Sequence, residues 1–401
     1  MSDQAERSVR GALIGAAFLM ATSAIGPGFL TQTAVFTQQL GASFGFAILA
    51  SIVLDLGAQL TTWRVIAAAG RPAGEVADAV RPGLGRLLAL LVAIGGVAFN
   101  VGNVAGAGLG LNVLLGVDVR VGAAVSALGA VGLFLSREAG RAMDRFTQYL
   151  GLLMVGLTAW VAIVSSPPVS EAVVRSVWPT QLDVLSITTL VGGTVGGYIT
   201  FAGAHRLLDA GVKGIDRIPQ VTVAAGRAIG IASFMRIVLF LAALGVVSGG
   251  ATLDPNNPPA SVFRLASGEL GYRVFGLVMW AAAITSVVGA AYTSVSFLRS
   301  LSPSIDRVHR GWIIGFIVIS ALIFLVLGRP VRTLILVGAL NALVLPLGLA
   351  VMLVAARRRD IVGEYRHPAT LTALGWGVAA AMAAMGVLTM VRDVPRLWRG
   401  G

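Results

Sequence analysis

The 401-residue sequence has no cysteine, and only 12% of its residues are charged. The first absence excludes disulfides and thiolate metal sites, and leaves the redox compartment undetermined. The second excludes an ordinary soluble domain, which at this length needs far more polar surface than a chain that is 56% hydrophobic with a mean hydropathy of +0.86 supplies. Histidine is scarce too. Of the three, His309 and His367 lie in basic connecting segments, and only His205 falls within an apolar run. Lys and Arg outnumber Asp and Glu by 30 to 18, a net charge of +12. This excess does not point to nucleic acid, because the basic residues sit between the apolar runs instead of forming one stripe.

What is present is a succession of apolar runs, at 11–38, 43–68, 87–115, 121–136, 145–165, 184–208, 224–249, 274–298, 312–328, 331–356 and 369–390. These read as eleven helices crossing a hydrocarbon core of about 30 Å. No polar domain interrupts them; the longest polar loops are 166–183 and 251–263. The chain reads as one membrane domain, with the lipid bilayer as its first partner. Residues 1–24 mimic a secretory signal, with Arg7 and Arg10, an apolar stretch, then Ala21-Thr22-Ser23-Ala24. Cleavage there would delete half of the first helix, so the segment is read as an uncleaved span. With the N-terminus cytoplasmic, inner segments carry 19 Lys and Arg and outer ones 9, as the positive-inside rule requires. The odd number of helices then places the C-terminus outside an inner or plasma membrane.

The 51 glycines suit membrane helices, whose backbones approach closely through small residues. Ala105-Gly106-Ala107-Gly108-Leu109-Gly110 is read this way; it misses the dinucleotide fingerprint and follows no strand. Two helices are interrupted: the first within Ser23-Ala24-Ile25-Gly26-Pro27-Gly28-Phe29-Leu30-Thr31, near Gly26–Gly28, and the sixth within Gly192-Gly193-Thr194-Val195-Gly196-Gly197-Tyr198-Ile199-Thr200, near Gly196–Gly197. Pro27 cannot donate a backbone hydrogen bond, and each interior Gly costs about 1 kcal/mol. Paired breaks five helices apart point to an inverted-repeat transporter with a midplane site, where freed backbone groups line a cavity. The alternative is a pair of simple kinks.

Ionisable residues within spans are costly and default to functional candidates. Asp55 stands mid-helix, with Gln59 four residues on sharing its face. It is either a coupling site or a structural hydrogen bond, for instance to Arg236. His205, Arg206 and Asp209 follow the sixth-helix break. His205 either gates protons or belongs to a helix-end cluster with Asp209, beside a snorkelling Arg206.

Further residues carry a resemblance. Ala98-Phe99-Asn100-Val101-Gly102-Asn103-Val104-Ala105-Gly106 and Leu111-Asn112-Val113-Leu114-Leu115-Gly116 in the third helix resemble the Nramp (natural-resistance-associated macrophage protein) metal-transporter family. So do Phe44-Gly45-Phe46, Gln59 and Arg64 in the second, and Leu343-Val344-Leu345-Pro346 in the tenth. The resemblance implies the all-α LeuT-type fold: inverted five-helix repeats at about 11–165 and 184–356, plus an eleventh helix at about 369–390. It also implies that the metal chemistry is gone. Gly26-Pro27-Gly28-Phe29 stands where the family has Asp-Pro-Gly-Asn, and Gly196-Gly197-Tyr198 where it has Met-Pro-His. Val344 replaces a Gln, and Asn100 and Asn103 replace two acids linked to proton movement.

The candidate substrate site is therefore Gly26, Pro27, Gly28, Thr31, Gln32, Gly196, Gly197, Tyr198 and Thr200, all neutral. The coupling candidates are Asp55, Gln59, Asn100, Asn103, His205 and Asp209. No metal ligands and no cofactor are expected. A divalent cation usually needs at least one carboxylate, so the expected cargo of this secondary transporter is a small organic acid or amino-acid derivative, with proton coupling as an option. A divalent-metal transporter (manganese, iron or magnesium) and a non-transporting receptor are the alternatives. An enzyme is not expected: there is no His-Glu-x-x-His motif, and Asp55 has no clear partner in the sequence for membrane proteolysis. The chain is expected to act as a monomer.

Overall fold

Every apolar run of the sequence is helical, and several are two helices. The structure, a computed structural model, describes residues 3–299, 305 and 307–399. The first run divides into α1 (Asp3–Ala24) and α2 (Pro27–Leu40), followed by α3 (Phe44–Ala69), α4 (Ala73–Val80), α5 (Leu84–Leu115) and α6 (Val119–Leu135). After α7 (Arg137–Val164) and α8 (Val169–Val177), the sixth run divides into α9 (Val184–Thr194) and α10 (Ile199–Asp209). Then come α11 (Ile218–Ser248), α12 (Pro258–Arg299) and α13 (His309–Leu327). The tenth run divides into α14 (Pro330–Ala342) and α15 (Val344–Ala355), and α16 (Ala369–Arg392) follows.

Among the described residues, eight segments are long and apolar enough to cross a membrane, Pro27–Ala69 counting as one, and nine with the α7–α8 pair, bent by 106°. Dividing Pro27–Ala69 at the tight turn Gly41–Ser43 and adding the shorter α6 gives the eleven runs read from the sequence.

Three local differences have plain causes. Within 166–183, expected as a loop, Val169, Val173 and Val177 recur at helical spacing beside the polar Glu171 and Arg175. They form α8, an amphipathic helix of the kind that lies in a membrane interface. The eighth helix starts earlier than expected, at Pro258, and bends at Gly268, whose φ of 66° only glycine adopts freely. The tenth run loses a helical hydrogen bond at Leu343, whose own backbone stays helical, because Pro346 cannot donate to the carbonyl of Ala342.

Lipid offers helices no hydrophobic reason to associate, so the bundle rests on close packing. The small-residue run of α5 supplies it. A Cβ at Gly106 would stand 2.2 Å from Pro27 Cβ, and one at Gly110 would stand 2.7 Å from Trp280. The packing reading of that run therefore holds, and α5 becomes the post against which α2 and α12 lean. Outward-facing Leu128, Leu152, Ile163 and Val326 are exposed, an apolar jacket suited to lipid.

Candidate functional site

The two breaks face one another. At the first, Ile25 and Gly26 leave the helix, Gly26 takes an extended backbone, and Pro27 opens α2 as its first residue. The interruption is thus narrower than Gly26–Gly28, since Gly28 already lies in α2. It leaves the first-turn amides of Gly28 and Phe29 with no acceptor in their own helix. At the second, Val195 to Tyr198 form a turn, with Gly197 at φ +61°. The Tyr198 ring meets Phe99 edge-on at 5.3 Å, tying helix six to helix three. Thr200 donates its hydroxyl to the Val195 carbonyl, so it braces the break and keeps only acceptor capacity for a ligand.

Gln32 lies where α2, α9 and α14 meet. Its Nε2 donates to the Leu334 carbonyl at 3.0 Å, while Oε1 has no partner and lies against Gly193. The Thr31 hydroxyl is likewise buried and unpartnered. From α5, Asn103 reaches Gly26, and Asn100, one turn away, is fully buried with neither side-chain atom bonded. Four residues before Asn100, Gly96 packs on Ser294 of α12, whose hydroxyl is also unpartnered.

Sequence reading missed the irregularity at Leu343 and the residue beside it. Asn341, at the end of α14, is fully buried, and both of its side-chain polar atoms lack partners. A Cβ at Gly197 would stand 2.3 Å from Asn341 Oδ1, and one at Gly95 would stand 2.6 Å away. The available signal was Pro346 four residues after Ala342, which frees a carbonyl inside an otherwise apolar run.

The coupling candidates do not assemble at this junction. Asp55 of α3 pairs with Arg236 of α11 at 3.0 Å, both side chains out of solvent, which is the structural partner considered from the sequence. Gln59 accepts from Trp63 Nε1 at 2.7 Å. His205 accepts the backbone N–H of Ala73 at 3.0 Å and stacks on Phe297, tying α10 to the start of α4. Its Nε2 is therefore engaged, with the ring proton on Nδ1. Asp209 and Arg206 are exposed at the end of α10, the bland helix-end reading. Only Asn100 and Asn103 stand near the breaks.

The sequence matches the family described as "Natural resistance-associated macrophage protein-like" over residues 17–392. The chain belongs to the Nramp family. This is a family of membrane transporters, and the chain is a multi-pass membrane protein. Two relatives of similar length are an uncharacterized membrane protein, YcsG, of Bacillus subtilis and one of Haemophilus influenzae. The first is 58% identical over 386 residues, 96% of each chain; the second is 54% identical over 382 residues, 95% of this chain and 96% of the relative.

Among solved structures, the Eremococcus coleocola manganese transporter in complex with an aromatic bis-isothiourea compound superposes with a TM-score of 0.75. It is 14% identical, with 99% of this chain and 89% of that one covered. MhsT in complex with L-phenylalanine gives a TM-score of 0.65 at 15% identity, covering 95% and 97%. These likenesses establish the LeuT-type fold of this Nramp-family chain. Within that fold, the described residues hold no group of three or more His, Cys, Asp or Glu able to bind a metal together.

Proposed function

We propose that this Nramp-family protein is a secondary transporter carrying a small organic acid or amino-acid derivative, not a bare divalent cation, through the junction of its broken helices. One observation carries the reading: the groups gathered there are neutral, and several are buried without partners. They are Thr31 Oγ1, Gln32 Oε1, both side-chain atoms of Asn100, and Asn103 Nδ2. A dehydrated divalent ion is usually balanced by at least one carboxylate, and the one buried carboxylate described above, Asp55, is engaged by Arg236. The start of α2 offers the opposite polarity. Its free amides carry the partial positive charge of a helix N-terminus, which favours a carboxylate. The MhsT complex with L-phenylalanine supports this at the level of fold, since a scaffold of this kind accommodates an amino acid. In this reading the site is Gly26, Pro27, Gly28, Thr31, Gln32, Gly196, Gly197 and Tyr198, the N-terminus is cytoplasmic, and Thr200 supports the break from behind.

The test is binding to the detergent-purified protein. Small carboxylates are expected to raise its melting temperature, as any ligand selective for the native state does. Manganese is expected to bind no tighter than the millimolar range, about −4 kcal/mol, against about −8 for a micromolar site. Calorimetry finding micromolar manganese, lost on substitution of Tyr198, would return the metal reading. Absence of both binding and uptake in proteoliposomes would favour a receptor.

A further inference from the structure

Asn341 is an anomaly by the rules that govern the rest of the bundle. Its helix, PVRTLILVGALNA, is otherwise almost wholly apolar. A buried polar group left without a partner costs about 1–3 kcal/mol, and Asn341 leaves both the carbonyl and the amino end of its carboxamide in that state. A leucine of similar size would avoid the cost. The surrounding backbone is cleared for the carboxamide: Gly95 on α5 and Gly197 in the helix-six turn both abut Oδ1, and a Cβ at Gly196 would stand 2.7 Å from the Asn341 carbonyl. Val344, just past Leu343, also faces Gly95. Two glycine-thinned segments, α5 and the helix-six turn, thus converge on one unpaired amide.

We infer that Asn341 is a third wall of the solute site, its carboxamide contacting the uncharged polar part of the cargo; this rests on the reading that the cargo sits between the helix breaks. A carboxamide offers donors and an acceptor. Nδ2 can serve a carboxylate, but Oδ1 needs a donor. The cargo class is thereby narrowed to acids that also carry a hydroxyl, amide or amine hydrogen.

The absence of native cysteine makes the test direct. Single-cysteine variants Asn341→Cys, Thr31→Cys and Ala339→Cys are reconstituted in liposomes and treated with a small water-soluble methanethiosulfonate. Ala339 is equally buried but lies on another side of α14. Asn341→Cys and Thr31→Cys are expected to react, and Ala339→Cys to remain unmodified. Reaction at Thr31→Cys alone would overturn the inference while leaving the solute site standing. Reaction at neither would sink the site itself, and the inference with it. If Asn341→Cys is not monodisperse, Val344→Cys beside it takes its place, with the same two outcomes.

Two further readings bear on chemistry. Asn341→Leu is expected to raise the melting temperature of the ligand-free protein, because it removes two unsatisfied atoms; a fall would mark a structural amide and overturn the inference. Glycolate, which adds one hydroxyl to acetate, is expected to slow modification of Thr31→Cys more than acetate at equal concentration. Equal protection, or none, would overturn the requirement for a donor.

Discussion

Asp55 and Arg236 face each other between α3 and α11 as a charge pair joined by one hydrogen bond, with Asp55 Oδ1 and Arg236 Nε and Nη1 left over, whereas Thr31, Gln32, Asn100 and Asn341 around the breaks hold unpartnered atoms that are all neutral. Both regions are out of solvent. The difference lies in what each polarity requires of its surroundings. A charge in a low-dielectric bundle is tolerable only beside its opposite, so the protein supplies both members and the pair holds two helices together. A neutral amide or hydroxyl is far less costly to leave unpaired. Unpaired neutral groups can therefore persist where a ligand is to be received, and paired charges mark where two helices are held.

The largest test of that contrast removes one charge. Arg236→Leu strands Asp55 and is expected to cost about 3–5 kcal/mol, as is Asp55→Asn from the other side. The double variant Asp55→Leu with Arg236→Leu should recover much of the loss, because a packed apolar pair replaces a buried ionic one at little net cost. Melting curves of the three proteins decide it. If Asp55→Asn instead keeps wild-type stability and abolishes pH-driven uptake in proteoliposomes, the pair is a coupling site, and the contrast between clamp and receptor fails.

A smaller effect is expected at the seam between helices six and ten. A Cβ at Gly192 would stand 1.8 Å from the Gly338 carbonyl oxygen, so Gly192→Ala forces two backbones apart. Overpacking of this kind costs about 1–3 kcal/mol. Gly226→Ala, in the open on α11 with nothing within 4 Å, should be neutral or slightly stabilising. Equal melting temperatures for the two variants would mean that the junction is looser than its geometry states.

The smallest effect lies outside the spans, where a titrating group meets water. His367 precedes α16, shares a hydrogen bond of 2.9 Å with Tyr365 Oη, and is pushed down to about 4 by burial, with the Arg64 guanidinium beside it adding to the effect. Its folded pKa lies below its ordinary 6.5, so the unfolded chain takes up the extra proton. The stability it contributes is complete above that ordinary value and is lost as pH falls towards 4. Melting temperature should therefore drop modestly from about pH 7 to about pH 5, and His367→Gln should flatten that part of the profile. An unchanged profile in the variant would assign the pH dependence to other groups.

Much of the candidate site was legible because its signals are local. Pro27 and the closely spaced glycines of helix six weaken helices locally, and the structure interrupts them at 25–26 and 195–198, while Gly192 and Gly193 remain helical in α9. Asn100 and Asn103 drew notice only through the family resemblance, and both lie near the first break. Thr200 was read as a ligand group, and its hydroxyl also braces the break through the carbonyl of Val195, five residues earlier, a local geometry that composition does not specify. Asn341 was overlooked because one asparagine in an apolar run carries no periodic signal. Its meaning depends on Gly95 and Gly197, which are remote in the chain and adjacent in space.

The sequence by itself determined the class of molecule: apolar runs of membrane length, few charges and the family's motifs leave little besides a helical membrane bundle, because backbone groups in lipid must be satisfied within each span. It also determined where helices one and six interrupt, since proline and glycine act on their own residue and its near neighbours. Only the tertiary structure decided partnership. It joined Asp55 to Arg236, engaged His205 with the amide of Ala73, and brought α5 and the helix-six turn onto one unpaired asparagine. Those outcomes turn on which helix faces lie within a few ångströms of one another, and that is fixed by how small residues let backbones meet across the bundle.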